Sequence, residues 1–139
     1  MALVKVKRAL VVGCGDFGLV VSDRLSASGY SVIAVDKDEN AFAGLSARFG
    51  GEPVVGDGAD VTFLEECEVG KASLVVACTE RDAVNYFIAR VASEVYGVPQ
   101  VFCRVEDEDL IGMLDEANIE PICPHALCLA EFCRLSHLK

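Results

Sequence analysis

A glycine-rich segment near the start of the chain has the spacing of a diphosphate-binding loop. It reads Gly13-Cys14-Gly15-Asp16-Phe17-Gly18 and follows a short apolar run over residues 10–12. In such loops the first glycine permits a tight turn, the second lets a phosphate approach the backbone, and the third allows close packing of the next helix. The N-terminus of that helix offers free N–H groups and about half a positive charge, which suits a phosphate.

A carboxylate follows at the distance expected for a ribose contact. Asp36 ends a second apolar run, and it lies about 20 residues after the loop, where an acid can accept both ribose hydroxyls of an adenosine. This acid disfavours the 2′-phosphate of NADP, although Lys37 beside it weakens that preference. The order strand, glycine turn, helix, strand, acid predicts a nucleotide site. The alternative is a fold of the same type whose site is empty or degenerate.

Apolar runs alternate with helical patterns along the whole chain. Runs over residues 10–12, 31–36, 53–55, 72–77, 101–103 and 119–123 predict six strands. Strands that alternate with helices indicate a parallel sheet with right-handed crossovers. The sequence therefore predicts an α/β fold in one domain of residues 1–139. Its class is a Rossmann-like, doubly wound, parallel six-stranded sheet in the order 3-2-1-4-5-6, with a C-terminal helix.

Two of the intervening helices have specific start signals. The first is expected to begin after Asp38, to carry Phe42, Leu45 and Phe49 on one face, and to end at Gly50-Gly51. The second is expected to use Thr79 as its N-cap, because Thr79 and Asp82 have the spacing of a capping box. A further helix is expected to be capped by Asp107.

Further candidate site residues follow the ends of the predicted strands, where ligands of this fold lie. Asp57, Gly58 and Ala59 follow the third strand, Cys78 and Thr79 the fourth, and Arg104 ends the fifth. Asp57 contacts the ligand or stabilises its own turn. Backbone groups of Cys78 and Thr79 are candidates for ligand contact. Arg104 contacts a phosphate or pairs with Glu106 or with a carboxylate of a partner.

Composition excludes some classes of protein. The chain has 12 basic and 22 acidic residues, a formal charge of −10, which argues against nucleic-acid binding. No apolar run reaches the length of about 18 residues that a membrane-spanning helix needs. Residues 1–8 carry no secretory-signal pattern. The hydrophobic content of 53% suggests that a partner covers part of the surface.

The seven cysteines are interpreted as small buried hydrophobic residues in a reducing cytosol, since their number is odd and no C-x-x-C pair occurs. Two alternatives remain. A metal could use His125 with Cys128, or Cys133 with His137, because each pair has helical spacing. A regulatory thiol would be Cys14 or Cys78, which the predicted fold places beside the nucleotide.

The last helix, predicted over residues 124–138, is apolar around most of its circumference. Such a helix must be buried on more than one side. One side can pack on its own sheet, and the other predicts an interface with a second subunit or a missing domain.

No catalytic set is recognisable, since both histidines fall in the last helix. We therefore expect the ligand to act as a signal rather than as a reagent, and the protein to be a regulatory binding module and not an enzyme. Two alternatives from other classes are the cofactor-binding domain of an NAD-dependent oxidoreductase, acting through Cys78, and a purely structural oligomerisation domain.

The chain resembles a known family in several of these segments. They are the glycine loop, Asp36, the stretch Val-Gly-Asp-Gly-Ala-Asp at 55–60 and the run Leu-Val-Val-Ala-Cys-Thr-Glu-Arg-Asp-Ala-Val-Asn at 74–85. Together they are similar to the RCK, KTN or TrkA-N domain, the N-terminal domain of Trk/Ktr-type potassium-transport regulators. The resemblance covers essentially the whole chain. It maps the family's glycine loop to Gly13, Gly15 and Gly18, and the ribose acid to Asp36.

The resemblance implies a cytosolic regulator at the inner face of the cell membrane. It would bind NAD(H) or an adenine nucleotide (AMP, ADP or ATP), form a homodimer or a higher ring partly through the last helix, and act on a membrane potassium transporter or channel. Two departures matter. Asp16 stands where several members have Arg or Gln, and His125 stands where several have an acid. Asp16 beside the phosphates disfavours ATP with a metal ion and favours NAD(H), AMP or ADP.

Overall fold

The computed structural model describes residues 6–115 and 118–139. The expectation about a secretory signal concerns mainly residues 1–5, which lie outside the described residues. Six parallel strands form one sheet in the order β3-β2-β1-β4-β5-β6, which confirms the predicted topology. The strands are β1 (Arg8–Val12), β2 (Ser31–Asp36), β3 (Glu52–Val55), β4 (Leu74–Ala77), β5 (Gln100–Arg104) and β6 (Glu120–Ile122).

Helices connect the strands. The α-helices are α1 (Asp16–Ala27), α2 (Val61–Glu66), α3 (Asp82–Arg90), α4 (Ile111–Asp115) and α5 (Pro124–Ser136). Shorter 3-10 turns cover Glu39–Gly44, Val69–Lys71 and Glu108–Leu110, and a π-helical turn, Val91–Val95, extends α3. Since β1 lies between β2 and β4, the chain reverses its direction of travel across the sheet at β1, which is where this fold opens a crevice.

The central strands of the sheet are buried on both faces. The larger core cluster includes the buried side chains of Leu10, Val75 and Val101 from the strands, with Leu64 of α2 and Ile88 of α3. A smaller cluster on the opposite face joins other residues of β1, β2 and β4 to α1. A strand covered on both faces is apolar at every position, which explains the continuous apolar runs in the sequence.

The helix expected between β2 and β3 is wrong in extent. Asp38 does accept a hydrogen bond from the Asn40 N–H, which confirms the predicted cap, but the turn that follows is a 3-10 helix ending at Gly44. The chain is then tied to α1, because the Ser46 N–H donates to the carboxylate of Asp23. These hydrogen bonds keep the residues after 44 in an irregular conformation. A longer helix would break them.

The predicted start of α3 is also wrong. The helix begins at Asp82 with Arg81 as its N-cap, and Thr79 lies outside it. Asp82 does not complete a capping box, since its carboxylate accepts the N–H groups of Glu106 and Asp107 at 2.9–3.1 Å. This carboxylate thus joins the start of α3 to the loop after β5. The predicted Asp107 cap is confirmed by its bond from the Asp109 N–H.

Helix α5 projects from the body of the domain. None of its residues is buried, and its first turn contacts the core through Ala126. The expectation that one side packs along its own sheet is therefore wrong. Five large apolar side chains at or just beyond the helix are more than half exposed: Leu127, Leu129, Phe132, Leu135 and Leu138. Among the described helices, none is both long enough and apolar enough to cross a bilayer.

Candidate functional site

An open cleft of about 730 Å³ lies at the carboxyl ends of the central strands. A smaller cavity of about 390 Å³ lies at the opposite edge of the sheet, away from the predicted site residues. Most of the predicted site residues line the larger cleft, namely Gly13, Cys14, Gly15, Asp16, Phe17, Asp36, Lys37, Asp57, Gly58, Cys78, Thr79 and Arg104. Gly18 and Ala59 do not line it. Gly18 packs against the glycine loop, and Ala59 donates its N–H to the Asp57 carboxylate.

The glycine loop is held tightly against the end of β4. Gly13 has φ +110°, and its N–H donates to the Val35 carbonyl at 2.8 Å. A Cβ atom on Gly13 would lie 2.5 Å from the Cys78 carbonyl oxygen, while one on Gly18 would collide with the Gly13 carbonyl. Gly13 and Gly18 are therefore required by the packing of the loop and of α1.

Gly15 faces open space instead. A Cβ atom there would meet nothing within 4 Å, so the backbone at Gly15 is accessible from the cleft. Gly15 is also the N-cap of α1, and no side chain among the described residues caps this helix start. Asp16 lies in the first turn and makes no capping hydrogen bond. The first N–H groups of α1 are left for water or for an anion.

Asp36 is fixed beside the glycine loop. Its Oδ2 accepts the Cys14 N–H at 2.8 Å, and its Oδ1 accepts the Asp38 N–H at 2.9 Å. These two bonds set the plane of the carboxylate at the end of β2. Because each carboxylate oxygen can accept about two hydrogen bonds, both oxygens keep acceptor capacity for the hydroxyls of a bound sugar.

The segment after β3 forms a turn along the cleft. Asp57 Oδ1 accepts the Ala59 N–H at 2.9 Å, and its other oxygen lies 3.7 Å from Lys37 Nζ. Asp57 therefore stabilises its own turn, which is one of the two roles predicted for it. A Cβ on Gly58 would meet Val12 Cγ1 at 2.5 Å, so only glycine lets this turn approach the core.

Asn85 organises the rim formed by β4 and β5. Its side chain is buried, its Oδ1 accepts the N–H and the hydroxyl of Thr79, and its Nδ2 donates to the carbonyls of Thr79 and Arg104. This role of Asn85 is not among the predictions from the sequence. A polar residue on the buried face of α3 was the available signal, because buried amides need partners.

Arg104 pairs with Glu106 in this structure. Its Nη2 lies 2.6 Å from Glu106 Oε1, and its Nη1 donates to the Thr79 carbonyl at 3.5 Å. The Nε atom is shut off from solvent and has no hydrogen-bond partner among the described residues. The structure thus shows the predicted ion pair between Arg104 and Glu106, and it leaves the Arg104 Nε donor unsatisfied.

Several lining residues were missed by the sequence analysis. They are Val12, Val35, Asp38, Ala41, Glu80, Arg81, Val84 and Pro124. Most lie within a few residues of a predicted site residue at the end of a strand. Pro124 differs, because it comes from the start of α5, and only the fold brings it to the cleft.

The cysteines are mostly buried, as expected, but Cys128 is exposed and Cys133 is half-buried. Burial raises the pKa of the Cys14 and Cys78 thiols to about 12, and the nearby Asp36 carboxylate adds to the rise at Cys14. The Cys78 thiol donates to the Gly13 carbonyl. Such thiols stay protonated at neutral pH and are poor nucleophiles, which argues against both as regulatory thiols and against Cys78 as a catalytic group.

These thiols predict a loss of stability in alkali. Burial also raises the pKa of Cys103 to about 12 from an ordinary value of 9.0. A raised folded-state pKa gives stability that is complete below pH 9 and declines as the pH rises toward 12. Each thiol lowers the unfolding free energy by up to about 1.4 kcal/mol per pH unit in that range.

Urea denaturation at pH 8–11 measures this slope. We expect Cys78→Ala to make it shallower than in the wild type, and Cys128→Ala, which removes an exposed thiol, to leave it unchanged. Equal slopes in all three proteins would contradict the prediction.

Metal ligands do not cluster in the part of the chain that is described. Within residues 6–115 and 118–139, no group of three or more His, Cys, Asp or Glu side chains is placed to hold a metal ion.

The parallel sheet in this order, the glycine turn after β1 and the cleft at the strand ends together define a Rossmann-like domain. The particular family is given by comparison: residues 9–123 match the model of the TrkA-N domain. The chain belongs to the TrkA-N domain family, which confirms the resemblance noted in the sequence.

Curated relatives match over part of their length. The Trk system potassium uptake protein TrkA of Streptomyces coelicolor is 35% identical over 98 residues, which are 70% of this chain and 44% of that protein. A TrkA homolog of Methanothermobacter thermautotrophicus is 27% identical over 100 residues, 72% of this chain and 46% of that protein. The chain spans less than half the length of these relatives.

Solved structures share the fold. The TrkA-N domain of the inner membrane protein ybaL from Escherichia coli has a TM-score of 0.81 at 16% identity, covering 96% of this chain and 98% of that one. The Shewanella denitrificans Kef CTD in AMP-bound form has 0.72 at 21%, covering 95% and 82%. The GsuK channel bound to NAD has 0.69 at 16%, covering 86% and 22%.

Proposed function

We propose that this chain binds NAD(H) or an adenine nucleotide, with the diphosphate or phosphate at the start of α1 and the ribose at Asp36. One observation carries the proposal: an uncapped helix start at Gly15 opens onto the cleft, and Asp36 is bonded to the N–H of the preceding residue, Cys14. N–H groups that can donate to a phosphate and a carboxylate that can accept from ribose hydroxyls therefore lie next to each other.

The family supports the same ligand class. Structures of similar fold are described with AMP or with NAD, and the cleft volume falls within the range of about 300–1,000 Å³ typical of small-molecule sites. Gly13, Gly18, Gly58 and Ala59 serve this site by shaping the backbone around it. The other proposed contacts are Cys14, Asp16, Phe17, Lys37, Asp57, Cys78, Thr79 and Arg104.

Charge in the cleft favours ligands with few phosphates. The lining includes five acidic side chains, Asp16, Asp36, Asp38, Asp57 and Glu80, and three basic ones, Lys37, Arg81 and Arg104. Like charges in close proximity repel, so a third phosphate is unfavourable here. We therefore rank NAD(H), AMP and ADP ahead of ATP and NADP.

Ligand binding is readily tested by thermal unfolding with NAD⁺, NADH, AMP, ADP and ATP. Free ligand at about 100 times its dissociation constant stabilises a fold by about 2.7 kcal/mol, and for a chain of this size the midpoint rises by on the order of 10 °C. No shift with any of the five at millimolar concentration would contradict nucleotide binding.

The biological role we propose is regulation of a membrane potassium transporter or channel from the cytosolic face, by a binding module that is not an enzyme. The support is the family and the potassium uptake proteins among its relatives. A bound nucleotide would shift the equilibrium between two states of the assembly only to the extent that its affinity differs between them. In cells whose only copy carries Gly15→Ala, we expect altered rubidium uptake, and unchanged uptake would contradict this role.

We also propose that α5 forms the contact in a homodimer or a higher ring. Its exposed apolar side chains are the support, because soluble monomers rarely expose so continuous an apolar surface. Phe132 is 58% exposed and large, so Phe132→Glu is expected to weaken self-association by about 100-fold or more. Sedimentation measures this, and Val20→Glu, which introduces the same charge at an exposed apolar position of α1, is the control. A wild-type monomer at high concentration would contradict the proposal.

A further inference from the structure

The hydrogen bonding of Arg104 is incomplete. This residue ends β5 and lines the cleft. Its contact with the Thr79 carbonyl, at 3.5 Å, is at the limit of a hydrogen bond. Its Nε is shut off from water and has no acceptor within residues 6–115 and 118–139. A buried donor without an acceptor is rare and unfavourable, so the present position does not satisfy the guanidinium.

The unsatisfied donor belongs to the edge of the guanidinium that binds anions. Nε and Nη2 point the same way, so a phosphate or carboxylate can accept from both at once. Glu106 uses only Nη2, through one carboxylate oxygen at 2.6 Å. A phosphate that replaced Glu106 could satisfy both donors, whereas the present pair satisfies one.

Glu106 can release Arg104 without disturbing the loop. Its main chain is anchored, because its N–H and that of Asp107 donate to the Asp82 carboxylate. Its side chain is 52% exposed, so water can solvate the carboxylate once the guanidinium leaves. The ion pair is therefore exchangeable, while the backbone around it is fixed.

We infer that Glu106 is a specificity-determining residue of the proposed nucleotide site: its carboxylate competes with the ligand's phosphate groups for the Arg104 guanidinium. This inference rests on the proposed function. Because of this competition, a ligand binds Arg104 only if its negative charge is large enough to displace the Glu106 carboxylate. A ligand without phosphate leaves the Arg104–Glu106 pair intact, and a ligand with a diphosphate breaks it.

Calorimetry with adenosine and ADP tests the inference on the full chain. Glu106→Gln keeps the size of the side chain and removes its charge, so we expect ADP to bind about 3- to 10-fold more tightly and adenosine to bind as in the wild type. Arg104→Met should weaken ADP binding by about 10-fold. In the Arg104→Met background, Glu106→Gln should have no further effect, since the two residues act as a pair.

Glu108→Gln is the matched control, because it removes the same charge from an exposed position two residues along the loop. It should change ADP affinity by less than about 2-fold. Equal gains for adenosine and ADP, equal gains from Glu106→Gln and Glu108→Gln, or a gain that persists without Arg104 would each overturn the inference while leaving nucleotide binding intact. No binding of ADP to any protein, the wild type included, would overturn the proposed function and the inference with it.

Discussion

Replacing Gly13 by alanine is expected to cost at least about 3 kcal/mol of folding free energy, a large part of the stability of a domain of this size. Gly13 has φ +110°, which side chains rarely adopt, and a Cβ atom would lie 2.5–2.6 Å from the backbone of Cys78 and Thr79. Backbone on both sides cannot move aside without breaking the β1–β4 pairing. Urea denaturation followed by circular dichroism measures the loss.

Gly15→Ala provides the contrast. Gly15 has φ −72° and ψ −169°, which alanine adopts easily, and its Cβ would meet no protein atom within 4 Å. We expect a change in unfolding free energy of less than about 1 kcal/mol. Affinity for NAD⁺ or ADP should fall by at least about 100-fold, or about 2.7 kcal/mol, because the new methyl group would occupy the proposed phosphate position. If both variants unfolded alike, the cleft at Gly15 would not be open space.

Replacing Asp36 by alanine is the second change with a large expected effect. Both carboxylate oxygens hold backbone N–H groups, at Cys14 and Asp38, and both are proposed to accept a ribose hydroxyl. Hydrogen bonds to a charged group contribute about 1.5–3 kcal/mol each, so nucleotide affinity should fall by about 100-fold. The unfolding free energy should also fall by about 1–3 kcal/mol, since the Cys14 N–H loses its acceptor.

Asp23→Ala is the matched control for this effect. Asp23 also accepts a backbone N–H, from Ser46, and carries the same charge, but it does not line the cleft. Its loss should reduce stability and leave nucleotide affinity within about 2-fold of the wild type. Calorimetry at one salt concentration compares the two variants. Equal losses of affinity would show that Asp36 acts through general stability or charge rather than through the ribose.

The sequence predicts the sheet well for a physical reason. Strands buried on both faces read as continuous apolar runs, and right-handed crossovers leave few ways to order them. The candidate site was predictable for the same reason, because residues that follow parallel strands meet at one edge. Asp36, Cys78 and Arg104 are far apart in sequence, yet each ends or follows a strand of the same sheet and lines the same cleft.

Other features depend on tertiary hydrogen bonds that no local pattern encodes. The segment after Gly44 leaves its predicted helix because Ser46 and Gly50 bond to side chains of α1. Asp82 was expected to complete a capping box with Thr79, but its carboxylate binds the loop after β5 instead. Short polar side chains can bond locally or across the fold, and the sequence alone does not decide which.

The isolated position of α5 has a similar origin. Its apolar pattern indicated that the domain alone would not bury every side of the helix, and Phe132 and Leu135 are more than half exposed. The pattern did not show that the domain's own sheet covers so little of the helix. A pattern records how apolar a helix is, and the fold determines which neighbour is within reach.

The most direct test of the account is calorimetric titration of the wild-type chain and of Gly15→Ala with NAD⁺, ADP and AMP, after both proteins have been shown to be folded. We predict one saturable site in the wild type and a loss of at least about 100-fold in affinity in the variant. Equal binding by both proteins, or no binding by the wild type at millimolar ligand, would contradict it.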